Sequence, residues 1–248
     1  MKAIQSLGVV ARLAASLSVT VLLASCGGGE SPEGQWYGQL APDRQLAGVV
    51  LGDDSYYVLY SRPGEETLAG VLIGKGAIGQ GMTSTSSATD FNWEVPVARA
   101  AEVKLELNPR KMAVQGTVRL DGTPPRKLSA RHDAEAAYAD SIAPIVGRHT
   151  GTVVFALGPR PGTTFNVYAN GAVTTELNGC KIVGQVSRRQ DEAAYDLVMR
   201  LGAYPCFAPG APFFGVAWYR EDQKKLYAAV ALPAALGKQA IGFVGTKQ

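Results

Sequence analysis

Apolar and polar residues alternate one by one in several short runs of this chain. The segments 101–107 (AEVKLEL), 112–120 (MAVQGTVRL) and 193–201 (AAYDLVMRL) follow this pattern. Successive side chains of a β-strand point to opposite faces, so a two-residue period predicts strands with one buried face. Residues that favour turns separate these runs. The chain is therefore predicted to be an all-β protein built of antiparallel strands.

Two Asn-Gly pairs, Asn170-Gly171 and Asn178-Gly179, lie between strand-like runs and are typical of tight hairpin turns. They predict a three-strand meander over 163–188. Further strands are expected at 35–40, 46–51, 55–61, 68–74, 152–157, 213–220, 225–231 and 239–245.

One alanine-rich segment, 133–142, lacks the strand pattern. It has acidic residues early and ends just before Pro144, which predicts one short helix. We expect a helical linker at 133–146.

A five-residue echo indicates two related halves. The sequence GRHTG at 147–151 resembles GQWYG at 34–38, and each opens a series of strands. We expect a first β half at 34–132 and a second at 147–248, each a barrel- or sandwich-like set of antiparallel meanders.

The first 25 residues differ from the rest in composition. Lys2 and Arg12 stand near an apolar run at 13–23, and no acidic residue precedes Glu30. The run of 11 residues suits the core of a signal peptide and is too short to span a bilayer as a helix. We therefore predict a signal peptide at 1–25.

The sequence LASC at 23–26 resembles the lipobox of bacterial lipoproteins. The resemblance implies cleavage before Cys26, lipid on its thiol, and a flexible tether at 26–33. Gly27 follows the cysteine, whereas inner-membrane retention in the family usually requires Asp. The resemblance therefore implies an outer-membrane protein, periplasmic or surface-exposed. An ordinary secretory signal that happens to contain a cysteine is the alternative.

Three short sequences later in the chain, DFN at 90–92, NGC at 178–180 and GFVGTK at 242–247, resemble poorly characterised proteobacterial lipoproteins. The resemblance covers most of the chain after the signal peptide. It implies a β-rich lipoprotein and no particular activity.

The charge balance gives no reason to expect nucleic acid as a partner. The formal net charge is +3, but removing Lys2 and Arg12 from the 24 bases leaves 22 against 21 acids. A protein so close to neutral has little electrostatic attraction for a phosphate backbone.

With Cys26 lipidated, Cys180 and Cys206 remain as an even pair in an oxidising compartment. We predict a structural disulfide, with a contribution to stability of about 3.5 kcal/mol. A metal site and a nucleophilic thiol are the alternatives, and no histidine lies between the two cysteines to support either.

Motifs that would carry chemistry lack their usual context. The sequence GKGAIG at 74–79 matches the dinucleotide-binding pattern, but the residues after it form a poor helix, and that pattern acts by opening one. His132 lies near Ser129 and Asp133 without a nucleophile motif, and His149 takes the place of Trp36 in the echo. We expect no enzyme activity, no metal and no cofactor.

Aromatic residues are the remaining candidates for a binding surface. They cluster on two predicted strands, as Tyr56, Tyr57 and Tyr60 on one and as Phe213, Phe214, Trp218 and Tyr219 on the other. Such rings line a ligand cavity or a contact patch, or form the core.

The expected function is that of a non-enzymatic envelope lipoprotein held to the membrane by its lipid. Its β domain would bind a protein partner or serve in assembly. A lipocalin-like carrier of a small apolar ligand is the alternative. A membrane-embedded barrel is disfavoured because most of the predicted strands are shorter than the roughly 9–11 residues that such a barrel needs.

Overall fold

The structure is a computed structural model that describes residues 32–76, 83–95, 97–136, 138, 140–155 and 157–248. The predicted signal peptide, Cys26 and most of the tether lie outside the described residues.

The first half of the chain closes into an eight-stranded antiparallel barrel. Each strand pairs with the next, and β1 pairs with β8 from Trp36 opposite His132 to Leu40 opposite Leu128. In chain order, β1 to β8 are Gly34–Leu40, Arg44–Val50, Ser55–Ser61, Leu68–Lys75, Thr83–Asn92, Val97–Asn108, Ala113–Leu120 and Arg126–His132.

The second half repeats this architecture in a second closed barrel. It is closed by β16 and β9, from Gly242 opposite Val154 to Lys247 opposite His149. In chain order, β9 to β16 are Gly147–Phe155, Gly158–Val167, Ala172–Leu177, Cys180–Arg188, Tyr195–Leu201, Pro212–Arg220, Lys225–Ala231 and Ala240–Lys247.

The glycine echo of the sequence lies where each barrel closes. Gly38 of β1 packs against the backbone of Ser129, and Gly151 of β9 packs against the backbone of Val244. A Cβ atom at either glycine would collide with the neighbouring strand, so the closing pair of strands requires a residue without a side chain.

Side chains fill both barrels. Cross-strand pairs of a tyrosine with a glycine occur inside the first barrel, where Tyr56 is opposite Gly74 and Tyr60 is opposite Gly70. Each ring lies over its glycine, and a Cβ atom there would strike the tyrosine hydroxyl. Gly74, the first glycine of the 74–79 sequence, therefore serves packing. The largest fully buried side chains of the second interior include Phe165, Phe213, Ile182 and Phe243.

A third apolar cluster joins the outer walls of the two barrels. Val49, Leu59 and Val71 of the first barrel meet Val216 and Trp218 of the second. All five side chains are at most 1% exposed. The outward faces of these strands are therefore buried too, which packs the barrels against each other.

Gln35 adds polar contacts across the same contact region. Its Nε2 atom donates to the carbonyl oxygens of Ala193, at 2.9 Å, and Tyr219, at 3.2 Å. Its Oε1 atom accepts from the Tyr37 hydroxyl at 2.6 Å. Gln35 is 2% exposed, so its amide is buried and bonded at both ends.

The all-β class and the two antiparallel halves are confirmed, and both halves are closed barrels rather than sandwiches. The helix predicted at 133–142 is wrong: the described residues there form turns and bends, followed by a 3-10 turn at Ala143–Ile145. Alanine has the highest helix propensity, but propensity is a weak determinant of structure, and an isolated segment of this length forms only a marginal helix without an apolar face to pack. Two strands, Thr83–Asn92 and Arg126–His132, were not predicted.

Candidate functional site

The seven aromatic candidates lie in four different environments. Tyr56 and Tyr60 are inside the first barrel, and Phe213 is inside the second. Trp218 is 0% exposed in the cluster between the barrels, where its ring stacks on Tyr227 with centroids 5.4 Å apart.

The other three aromatic candidates are less buried. Tyr57 packs against the cluster between the barrels, and Tyr219 packs against the second core with its ring nearly perpendicular to that of His149. Phe214 points outward on β14 and is 48% exposed. The aromatic residues therefore do not form one exposed surface.

Both histidines bind main-chain oxygens. Nε2 of His132 is 2.9 Å from the carbonyl oxygen of Glu33, and Nε2 of His149 is 2.8 Å from that of Ile145. A carbonyl only accepts, so Nε2 is the donor in each ring. Nδ1 of each ring is buried without a hydrogen-bond partner in the described part of the chain. Burial lowers the pKa of His149, which is 0% exposed.

A buried arginine lies at the end of the first barrel where β2 begins. Arg44 is 7% exposed, and its guanidinium donates to the carbonyl oxygen of Ser61 at 2.8 Å and to Oε2 of Glu94 at 2.7 Å. The guanidinium carbon lies 5.5 Å from the centre of the Tyr60 ring. The charge is thus paired and packed, as a buried charge requires.

Asp90 is buried next to this arginine and is 1% exposed. Its Oδ1 atom accepts from the Tyr60 hydroxyl at 2.6 Å, while Oδ2 has no partner among the described residues. Loss of water raises the pKa of the Asp90 carboxyl, although the Tyr60 hydrogen bond and nearby arginines oppose the rise.

A cavity of about 850 Å³ lies between the barrels, beside the linker. Nε of Arg220 approaches Oδ1 of Asp222 at 2.9 Å and Oδ2 of Asp133 at 3.7 Å. The carboxylates that line the cavity are Asp133, Glu135, Asp140, Glu221 and Asp222. Across the described ranges, no three His, Cys, Asp or Glu side chains come together as a metal site.

Cys180 and Cys206 form the predicted disulfide, with Cα atoms 4.7 Å apart. The bond ties the long turn at 202–211 to the start of β12. Phe207 of this turn stacks on Phe155 with ring centroids 5.6 Å apart. The turn therefore folds over one end of the second barrel. We call this the disulfide end, formed by the turns that join β9 to β10, β11 to β12, β13 to β14 and β15 to β16.

The disulfide end exposes large apolar side chains that sequence reasoning did not single out. Leu157 is 63% exposed, Tyr204 is 92% exposed and Leu236 is 59% exposed. Each lies on a different turn. An apolar residue in a turn gives no periodic signal, so only the fold reveals that these three share one end.

Among the residues that the structure describes, no helix has the length and apolar character to cross a membrane. No family model matches the chain, and a search of curated proteins finds no similar sequence.

Proposed function

We propose that this chain is a non-enzymatic lipoprotein of the cell envelope, anchored at the outer membrane through Cys26, whose paired barrels act as a binding or assembly module. One observation carries the proposal: side chains fill both barrels, while exposed apolar residues gather on the turns of the disulfide end. A barrel whose interior is occupied by its own side chains has only its outer surface available for binding.

The basic start, the apolar run at 13–23 and the lipobox-like sequence at 23–26 support the anchor. A tether at 26–33 spans at most about 29 Å when extended. It would hold the first barrel close to the membrane at the end where β1 begins.

The carrier alternative has less support. A small-molecule site usually needs an enclosed, largely apolar space of about 300–1,000 Å³. The cavity of about 850 Å³ is lined by five carboxylates and lies outside both barrels. Holding an apolar ligand would require one of the two cores to open.

Fractionation of cells that express the full chain tests the anchor. We expect the wild type to carry acyl mass on Cys26 and to sediment with membranes, and Cys26→Ser to remain soluble after export. A wild type without acyl mass would contradict the anchor.

Photo-crosslinking in the same cells tests the binding module. A crosslinker at Tyr204, on the disulfide end, should give discrete adducts. The matched control is Gln223, an exposed residue on a turn at the opposite end of the second barrel. Adducts at neither position, or the same adducts at both, would contradict a module that binds through the disulfide end.

A further inference from the structure

The disulfide end carries its apolar residues on protruding turns. The four turns that form it lie at one end because the strands run alternately up and down around the barrel. Leu157, Tyr204 and Leu236 belong to three of these turns. The hairpin of β9 and β10 that carries Leu157 extends past β11, since β10 pairs with β11 only from Phe165 to Val167.

The first barrel adds a fourth apolar turn at the same end. Val95, between β5 and β6, is 58% exposed. The neighbouring residues Trp93 and Val97 line a small cavity with Lys238 and Ala240, which lie at the start of β16. The turn that carries Val95 is therefore next to the disulfide end.

The charge of the disulfide end is strongly one-sided. Within the described part of this end, the strand termini and turns carry four bases and one acid, with Glu176 directly opposite Lys181 across β11 and β12. The four bases are Arg160, Lys181, Arg200 and Lys238. The excess of three positive charges contrasts with the near-neutral balance of the chain after residue 25.

We infer that the disulfide end binds an anionic lipid interface, with the apolar turns entering the headgroup region and the bases contacting acidic headgroups. The apolar side chains stand on separate turns among basic residues. A fluid lipid surface can adapt to such separate protrusions, and its acidic headgroups complement the bases. A rigid protein partner, or a second copy of this chain, would instead favour one continuous apolar patch.

The orientation of the chain determines which lipid surface is available. The strand β1 begins at the opposite end of the first barrel, and its seven residues span about 23 Å. A chain anchored near Gly34 would hold the disulfide end away from the membrane that carries its lipid. The lipid surface that the disulfide end meets would therefore be a second one, distinct from the membrane that carries the anchor. The binding inference rests on the proposed function in that the β domain acts through its surface, and the orientation rests on the proposed anchor at Cys26.

The test uses residues 26–248 with Cys26→Ser, so that no acyl chain contributes to binding. The probes are vesicles of phosphatidylcholine alone and vesicles of equal parts phosphatidylcholine and phosphatidylglycerol, in a sedimentation assay. We expect binding to the anionic vesicles only, weakened by added salt. Absence of binding to the anionic vesicles would overturn the inference.

Variants separate the apolar and charged contributions. Replacing Tyr204 and Leu236 by Ser together should weaken binding about tenfold or more, because both side chains would lose apolar burial in the lipid. Lys181→Glu with Lys238→Glu should abolish the preference for anionic vesicles. The matched control is Tyr168→Ser, which removes a half-exposed ring from the turn between β10 and β11 at the opposite end of the second barrel and should leave binding unchanged.

Equal losses in Tyr168→Ser and in the Tyr204 and Leu236 variant would overturn the inference. All the substituted side chains are exposed, and an unchanged melting temperature verifies folding. If vesicles are not bound while Tyr204 crosslinks one protein in cells, the lipid interface is refuted and the binding module stands.

Discussion

Trp218 tests whether the contact between the barrels stabilises the fold. The side chain is 0% exposed and stacks on Tyr227, with the ring planes 9° apart. Replacing a buried tryptophan by alanine removes this packing and leaves a cavity, so Trp218→Ala should lower the free energy of unfolding by about 3–5 kcal/mol.

Trp218→Phe is the matched control because it retains a ring. The indole Nε1 of Trp218 is buried without a hydrogen-bond partner in the described part of the chain. Phenylalanine removes that unpaired donor, which offsets part of the lost packing. Trp218→Phe should therefore cost about 1 kcal/mol or less.

Urea unfolding followed by circular dichroism measures both variants, and calorimetry shows whether the barrels unfold together. We expect one transition for the wild type and two for Trp218→Ala, since the variant weakens the coupling between the barrels. A loss below about 1 kcal/mol for alanine, or equal losses for alanine and phenylalanine, would refute the reasoning.

Three further predictions concern the disulfide and two buried titratable groups. Replacing Cys180 and Cys206 by Ala should lower the free energy of unfolding by about 3.5 kcal/mol in urea titrations, with Cys26→Ser as a neutral control. Burial lowers the pKa of His149, so the wild type should lose stability relative to His149→Gln as pH falls below 6.5, and parallel pH profiles would contradict this. Burial raises the pKa of Asp90, so the wild type should lose stability relative to Asp90→Asn as pH rises above 3.8. A difference in free energy of unfolding between the two proteins that does not change with pH would show that the carboxyl is not desolvated.

The strands that alternate apolar and polar residues could be predicted from the sequence, whereas β5 could not. Its inward positions include Ala88 and Asp90, and serines and threonines occupy most of the rest. The strand therefore lacks the apolar period on which the prediction depends. Closure into a barrel also lies beyond local patterning, because β1 meets β8 about ninety residues later.

The aromatic residues show a second limit of sequence reasoning. On β14, Phe213 faces the core, while Phe214 and Trp218 both point outward. Only Trp218 is covered, because the first barrel packs against that part of the wall. A two-residue period predicts which side chains share one face of a strand. It does not predict which other part of the protein covers that face. The apolar turns of the disulfide end escaped prediction for a related reason, since turns have no period.

The pairing of β1 on both sides has a mechanical consequence. All seven of its residues pair with β2, and the run from Trp36 to Leu40 also pairs with β8. If the chain is anchored through Cys26 as proposed, a pull from that side would load β1 along its own length, at right angles to its ladder hydrogen bonds. Such a shear load is shared by many bonds at once, whereas peeling an edge strand breaks them one after another. The first barrel would therefore transmit force from an attached surface to the membrane before it unravels.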